Sequence, residues 1–311
     1  MAQPISLFLI GGFLGAGKTT FLRRVLARTA ENRVGLLVNE LGSVSVDGAL
    51  LRGGEIKLVE INNGSIFCAC LKDGFVRTLK AFEEQPIDLL FIETSGMADP
   101  AGMPLILERL APWLKRGYDY RGMVCLVDCT TFPDYVDQLL PVQNQVAAAD
   151  LILLNKTDLV SEAQALEIQQ TVRGLNEDAA VYRTTYADFP PELLGRELTS
   201  HGRAGVSSNT PRNRPAVYTL RTPPLDCGRE GVRRFYEKAA PYTLRLKGFL
   251  ETADGCLHVD GVCGQLELSP GAAPGLSGTL VAIGRSPEPF ADALRAAWAE
   301  AFAAPVAIEE N

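Results

Sequence analysis

Residues Gly12-Phe13-Leu14-Gly15-Ala16-Gly17-Lys18-Thr19 fit the pattern G-x-x-x-x-G-K-[S/T] without a mismatch, between an apolar run, Ile5–Ile10, and a stretch of helical character, Thr19–Ala30. Few short patterns restrict a chain so strongly. A buried strand that turns through glycines into a helix points successive backbone N–H groups inward and sets a helix N-terminus at the same spot, which makes a cradle for phosphate. In that cradle Gly12, Gly15, Ala16 and Gly17 supply backbone and Lys18 reaches the β- and γ-phosphates. The Thr19 hydroxyl is a ligand for Mg²⁺, and Thr20 lies in the same first turn.

The rest of the first 200 residues has the rhythm that such a unit needs. Val34–Val38, Leu89–Ile92, Met123–Val127 and Leu151–Leu154 read as further strands. They are nearly unbroken apolar runs, as expected of strands covered on both faces of a parallel sheet. Helices are expected at Gly74–Glu84, with Asp73 as N-cap, and at Glu162–Arg173, with Ser161 as N-cap. The pattern predicts an α/β class, a doubly wound and mostly parallel sheet. A polar stretch rich in Gly, Ser, Asn and Pro then reads as a linker over 201–214. Residues 215–311 are expected to form a smaller α+β domain. Its strands are expected at Val217–Leu220, Tyr242–Glu251, Leu257–Val259, Gln265–Leu268 and Thr279–Ile283, and its helices at Gly231–Ala239 and Phe290–Ala303.

Composition closes off several function classes. A net charge of −7 is a poor match to nucleic acid, whose phosphates call for clustered Lys and Arg. No apolar run is long enough to cross a membrane, and Ile5–Ile10 lacks the basic flank of an export signal, so a cytoplasmic location is expected. Seven cysteines, an odd number, suit thiols or metal ligands better than a disulfide framework.

Two further motifs follow in the order that a nucleotide site requires. Glu93 ends the apolar run Leu89–Ile92 and precedes Thr94-Ser95-Gly96. An acid at that strand end can hold the Mg²⁺ shell, and the Gly96 N–H can meet the γ-phosphate. Asn155-Lys156-Thr157-Asp158 follows the apolar run Leu151–Leu154. An Asp158 carboxylate accepts from both guanine N1–H and the 2-amino group, a pair that adenine does not offer. Asn155 can bridge base and phosphate loop, and the Lys156 stem can stack on the ring. These residues predict a P-loop GTPase domain that binds GTP with Mg²⁺, with Lys18, Thr19 and Glu93 as its catalytic set. Glu40, at the end of the second strand, is a candidate ligand for Mg²⁺ or a second metal, and Asp47 a candidate for orienting water.

Cys68 and Cys70 stand two apart, so in an extended loop they point the same way and can share a thiophilic ion with Glu40 or Glu60. Cys125 and Cys129 read as packing residues. Cys256, His258 and Cys263 are close in sequence and offer either packing or a metal site, while Cys227 has no assignment.

Taken together, GGFLGAGKTT, NELG, EINNG with its downstream cysteine, ETSGMADP and NKTD resemble the CobW-type metallochaperone GTPases, relatives of the nickel-delivery GTPases of urease and hydrogenase maturation. Leu246-Lys247-Gly248-Phe249 and Leu280–Gly284 are similar to that family's C-terminal domain. The resemblance implies slow GTP hydrolysis to GDP and phosphate, coupled to binding and release of Zn²⁺, Co²⁺ or Ni²⁺. The chain departs from the family's CxCC pattern: Ser65 and Phe67 replace the first two cysteines, Cys68 coincides with the third, and Cys70 is extra. Two thiolates in place of three imply a weaker, transferable site, a different metal, or a cofactor-bound metal such as a corrinoid. The resemblance implies a client metalloprotein or corrinoid protein as partner, and allows a homodimer. The alternative is a GTP-gated regulator or assembly factor without free-metal cargo, favoured by Ser65 and Phe67.

Overall fold

In the computed structural model the apolar run before the glycine loop is strand β1 (Ile5–Gly12), buried at every position except the half-buried Ser6. The structure describes residues 3–29, 33–39, 57–61, 72–98, 100–190, 192, 216–271, 275–284 and 287–310. These fall into two compact units, the first up to residue 192 and the second from residue 216. Glu40, Asp47, Cys68, Cys70, the Glu60 side chain and the expected linker at 201–214 lie outside the described residues.

In the first unit β1 is joined by β2 (Val34–Asn39), β3 (Lys57–Ile61), β4 (Leu89–Glu93), β5 (Tyr118–Asp128), β6 (Leu151–Asn155) and β7 (Ala180–Arg183). The sheet runs β3-β2-β4-β1-β5-β6-β7, and all six pairings are parallel. Both faces are covered. Phe8, Ile10, Leu36, Val38, Phe91, Val124 and Leu153 pack with Phe21, Leu22 and Val25 of helix α1 (Lys18–Arg28). The intervening Leu7, Leu9, Leu37, Ile92 and Ile152 are equally buried. That is why these segments read as unbroken apolar runs.

Helices α2 (Lys72–Glu83), α3 (Met103–Leu110), α4 (Phe132–Tyr135), α5 (Leu140–Ala147) and α6 (Glu162–Leu175) connect the strands. Ser161 caps α6 as expected, in a reciprocal box: its hydroxyl accepts from Gln164 N–H and the Gln164 side chain accepts from Ser161 N–H. Asp73 does not cap α2, because the helix already begins at Lys72. The chain passes from β1 over β4 to β2 on one side and from β4 past β1 to β5 on the other. The carboxyl end of β1 is therefore the switch point at which open α/β sheets bind ligands.

The second unit is antiparallel, with strands β8 (Ala216–Arg221), β9 (Thr243–Thr252), β10 (Gly255–Val262), β11 (Gln265–Pro270), β12 (Thr279–Gly284) and β13 (Ala307–Glu310) in the order β11-β10-β9-β12-β8-β13. Helices α7 (Arg229–Ala239) and α8 (Pro287–Ala301) supply Phe235, Tyr236, Phe290, Leu294 and Trp298 to its core, against Leu246, Leu257 and Leu280 of the sheet. The α/β class with a smaller α+β unit stands as predicted. No helix among the described residues is long and apolar enough to cross a membrane.

Candidate functional site

The glycine loop closes over the carboxyl end of β1 with three glycines in conformations that side chains disfavour: Gly12 at φ 134°, Gly15 at φ 76° and Gly17 at φ 103°. A Cβ on Gly12 would stand 2.4 Å from the Leu126 carbonyl oxygen, and one on Gly17 would stand 2.5 Å from Asn155 Nδ2. Gly17 opens α1 without any side-chain cap, and the first turn of α1 has no acid. The free N–H groups and positive end of the helix dipole thus face the loop, which suits a phosphate. Lys18 is buried, with Nζ donating to Gly12 O at 2.9 Å and Phe13 O at 3.3 Å, so its ammonium spans the loop. Thr19 is half-buried and Thr20 exposed.

Glu93 ends β4 beside β1, in register with Ile10, and is buried at 4% exposure. The chain leaving it is tied to β1 by Thr94, whose N–H and hydroxyl both donate to Ile10 O. A Cβ on Gly96 would lie 2.8 Å from Leu14 N, so only glycine lets this turn approach the glycine loop. Thr19 and Glu93 both offer oxygen donors, the chemistry that a hard cation such as Mg²⁺ takes.

One residue holding these loops together was not singled out in the sequence. Gln145 of α5 is 1% exposed, and its Oε1 accepts from Gly12 N–H at 3.1 Å. Its Nε2 donates to Gly96 O at 3.1 Å and Ala98 O at 2.9 Å. A single amide thus fixes the start of the phosphate loop against the turn after Glu93. The signal was a polar residue on the buried stripe of α5, with Val142 and Val146 three before and one after it.

Asn155 makes the second join. Its Nδ2 donates to Ala16 O at 2.9 Å, and its Oδ1 accepts from Ala187 N–H at 2.8 Å. The loop that it grips is bent by two successive non-glycine residues in the left-handed region, Tyr186 at φ 51° and Ala187 at φ 53°. Each costs about 1–3 kcal/mol and persists only where its surroundings insist on it. They do so here: Arg24 Nε donates to Tyr186 O at 2.8 Å, and Arg24 and Arg28 reach Asp188 at 3.2 and 2.7 Å. Phe189 packs on Phe21 with centroids 4.8 Å apart. The guanidinium of Arg28 beside Asp188 holds that carboxyl below the usual carboxylate range.

Lys156, at φ 62°, sends its ammonium 2.6 Å from Asp128 Oδ2 at the end of β5. Asp128 is itself buried, and its Oδ1 accepts from Thr130 N–H and hydroxyl. The Lys156 stem is therefore stretched along a fixed line, available as a platform for a flat ring. Asp158 lies exposed in the following turn, while Thr157 is anchored through its hydroxyl to Thr184 O at 3.0 Å. The arrangement thus collects Gly12–Thr20, Glu93, Gly96, Asn155, Lys156 and Asp158 along one edge of the parallel sheet.

Of the remaining cysteines, Cys125 and Cys129 are buried, and burial pushes both thiols up to about 12. Cys256 and His258 share one face of β10, but no three His, Cys, Asp or Glu among the described residues are grouped so as to hold a metal ion.

A family profile described as "CobW/HypB/UreG, nucleotide-binding domain" matches residues 6–183, more than half of the chain. "Zinc chaperone YjiA" of Escherichia coli K12 is 36% identical over 198 residues, covering 62% of this chain and 61% of that protein. "Zinc-regulated GTPase metalloprotein activator 1" of Schizosaccharomyces pombe is 32% identical over 221 residues, covering 66% and 52%. "Zinc chaperone CobW" of a Sinorhizobium species is 34% identical over 195 residues, covering 53% and 54%. The matches thus span 52–61% of these relatives' own lengths. A solved structure of Zn(II)-bound YjiA GTPase from E. coli is 27% identical, covering 96% of this chain and 99% of that one at a TM-score of 0.48. With the profile lying over the same strands and loops that build the site, the chain belongs to the CobW/HypB/UreG family and carries its nucleotide-binding domain.

Proposed function

We propose that the protein binds GTP, hydrolyses it slowly to GDP and phosphate, and couples that cycle to delivery of a transition metal or metallocofactor to a client protein. The observation that supports this most directly is the Asn155 amide, which joins Ala16 of the phosphate loop to the loop at Ala187 and makes phosphate site and base site one construction. In this reading the glycine-loop N–H groups and Lys18 hold the β- and γ-phosphates, where charge gathers as the terminal phosphoryl group leaves. The Lys156 stem supports the purine, and the exposed Asp158 carboxylate accepts from guanine N1–H and the 2-amino group. Thr19 and Glu93 are the residues that would hold Mg²⁺, which when bound neutralises phosphate charge. Zn²⁺, Co²⁺ or Ni²⁺ is cargo, and Glu40, Cys68 and Cys70 are its proposed ligands. The names of the curated relatives, two zinc chaperones and a zinc-regulated metalloprotein activator, support zinc first among the three.

The reading has two separable tests. Asp158→Asn replaces two acceptors by one acceptor and one donor, which clashes with the guanine 2-amino group and matches the xanthine 2-carbonyl. Loss of a charge-assisted pair costs about 1.5–3 kcal/mol, so GTP affinity should fall roughly 10- to 150-fold while XTP affinity rises. Unchanged GTP binding removes the guanine reading. Calorimetric titration of Zn²⁺, Co²⁺ and Ni²⁺ is then compared between wild type and Cys68→Ser/Cys70→Ser, with GDP and with a nonhydrolysable GTP analogue. Nucleotide-dependent binding that disappears in the variant supports a gated metal carrier. No binding in either state favours the regulator without free-metal cargo, the reading to which Ser65 and Phe67 point.

A further inference from the structure

A groove of about 380 Å³ opens on the first unit between α2 and α3, well apart in sequence from the phosphate and base motifs, lined by Phe75, Val76, Lys80, Ile106, Arg109, Leu110 and Trp113. Its floor is core: Phe75 and Leu110 are almost fully buried. Its far wall is one stripe, because Ile106, Arg109, Leu110 and Trp113 stand at i, i+3, i+4 and i+7 along α3 and the short 3₁₀ turn Ala111–Trp113 that continues it. Its near wall is Val76 and Lys80, one turn apart on α2. Trp113 is 73% exposed, the most exposed large apolar side chain among the described residues. An exposed aromatic anchor beside a buried apolar floor is the usual make-up of a binding hot spot.

The charges at the rim say what fits. Lys80 Nζ stands 5.6 Å from the Trp113 ring centroid, and neither Lys80 nor Arg109 forms an ion pair among the described residues. The nearest acid along α2 is not used to neutralise Lys80. Glu83, one turn from Lys80, is turned inward and accepts from the N–H groups of Arg116 and Gly117. A chain of net charge −7 thus presents, among the described residues, two cations without an ion-pair partner on the lips of an apolar groove. We infer that this groove docks an acidic amphipathic helix of a partner protein, its apolar side chains entering between Val76 and Trp113 and its carboxylates meeting Lys80 and Arg109. This is the helix-in-groove mode, with charge setting orientation and choice of partner. The inference does not depend on which nucleotide or metal the protein uses.

The full chain carries its own reporter. It has two tryptophans, and the second, Trp298, is 2% exposed, so solvent-sensitive emission comes from Trp113. The probes are two synthetic helical peptides with Leu at i, i+3, i+4 and i+7. One has Glu on its flanks, and the other has Lys at the same positions. The Glu peptide should shift Trp113 emission to the blue and bind at least about tenfold tighter than the Lys peptide, with the difference shrinking in 0.5 M salt. Lys80→Glu/Arg109→Glu should reverse the preference while the unfolding midpoint of the protein is unchanged. Should that variant fail to fold, Lys80→Ala/Arg109→Ala is measured by anisotropy of the labelled Glu peptide and should lose the tenfold preference. No binding, equal binding of both peptides, or Trp113 emission that responds only to concentration of the protein itself, with a second copy in the groove, would each overturn the inference.

Discussion

Replacing Gln145 by Leu tests whether the phosphate loop and the turn after Glu93 are held by one amide. Leu is close to Gln in volume, so the change opens no cavity, and it removes three hydrogen bonds, from Gly12 N–H and to Gly96 O and Ala98 O. Each contributes about 1 kcal/mol net, and a buried group left without a partner costs about 1–3 kcal/mol. Gln145 is 1% exposed, which leaves little access for water to replace it. The expected loss is therefore about 3–5 kcal/mol in urea denaturation, with the calorimetric midpoint roughly 6–20 °C lower. Nucleotide affinity should fall with it, because Gly12 loses the contact that sets its angle.

Gln145→Glu separates acceptor from donor. Its carboxylate can still accept from Gly12 N–H, but its second oxygen faces two carbonyls at neutral pH. Such surroundings favour the neutral acid and raise the folded-state pKa above its unfolded value. The variant should approach wild-type stability below the unfolded pKa and lose it as pH rises through the folded pKa. A Leu variant less than about 1 kcal/mol destabilised, or a Glu variant as stable as wild type at pH 8, would refute the role given to this amide.

The thiols of Cys125 and Cys129, pushed up to about 12 by burial, should resist iodoacetamide in the folded protein at pH 8 and react only after denaturation, as read by mass spectrometry of peptides; rapid labelling of either in the native state would contradict their burial. His258, whose pKa is lowered first by burial and then by Lys247, packs on Phe249 with centroids 5.1 Å apart and has no hydrogen-bond partner for Nε2 among the described residues. Its neutral form favours the fold, so its contribution is present above the unfolded pKa near 6.5 and declines as pH falls toward the folded value. Unfolding midpoints of wild type and His258→Gln should diverge between about pH 7 and pH 5 and run parallel above; parallel curves throughout would contradict this.

What the sequence determined by itself is what depends on neighbours along the chain. The glycine loop, Glu93 and the segment Asn155–Asp158 were legible because each is a short motif at the end of an apolar run, and parallel pairing brings the ends of such runs to one edge whatever the loops between them do. The Ser161 box was legible for the same reason, since both partners lie within one helical turn. Asp73 misled because an acid before an apolar stretch marks a cap only if the helix waits for it, and α2 begins a residue earlier. Strands β3 and β7 leave no clear mark in the sequence because they are short edge strands, defined by their pairing with β2 and β6 more than by composition. Only the part of β5 from Met123 is legible in the sequence, although the strand starts at Tyr118, because its polar first half carries no apolar run and is held by β1.

The tertiary structure alone decided the rest. Gln145 reaches Gly12 across 133 residues of sequence, and Arg24 reaches Tyr186 across 162. The groove needs α2 and α3 laid side by side, and the Lys156–Asp128 pair needs β5 beside β6. No local pattern encodes such contacts: their partners are chosen by the order of strands in the sheet, which is set by the packing of both apolar faces as a whole.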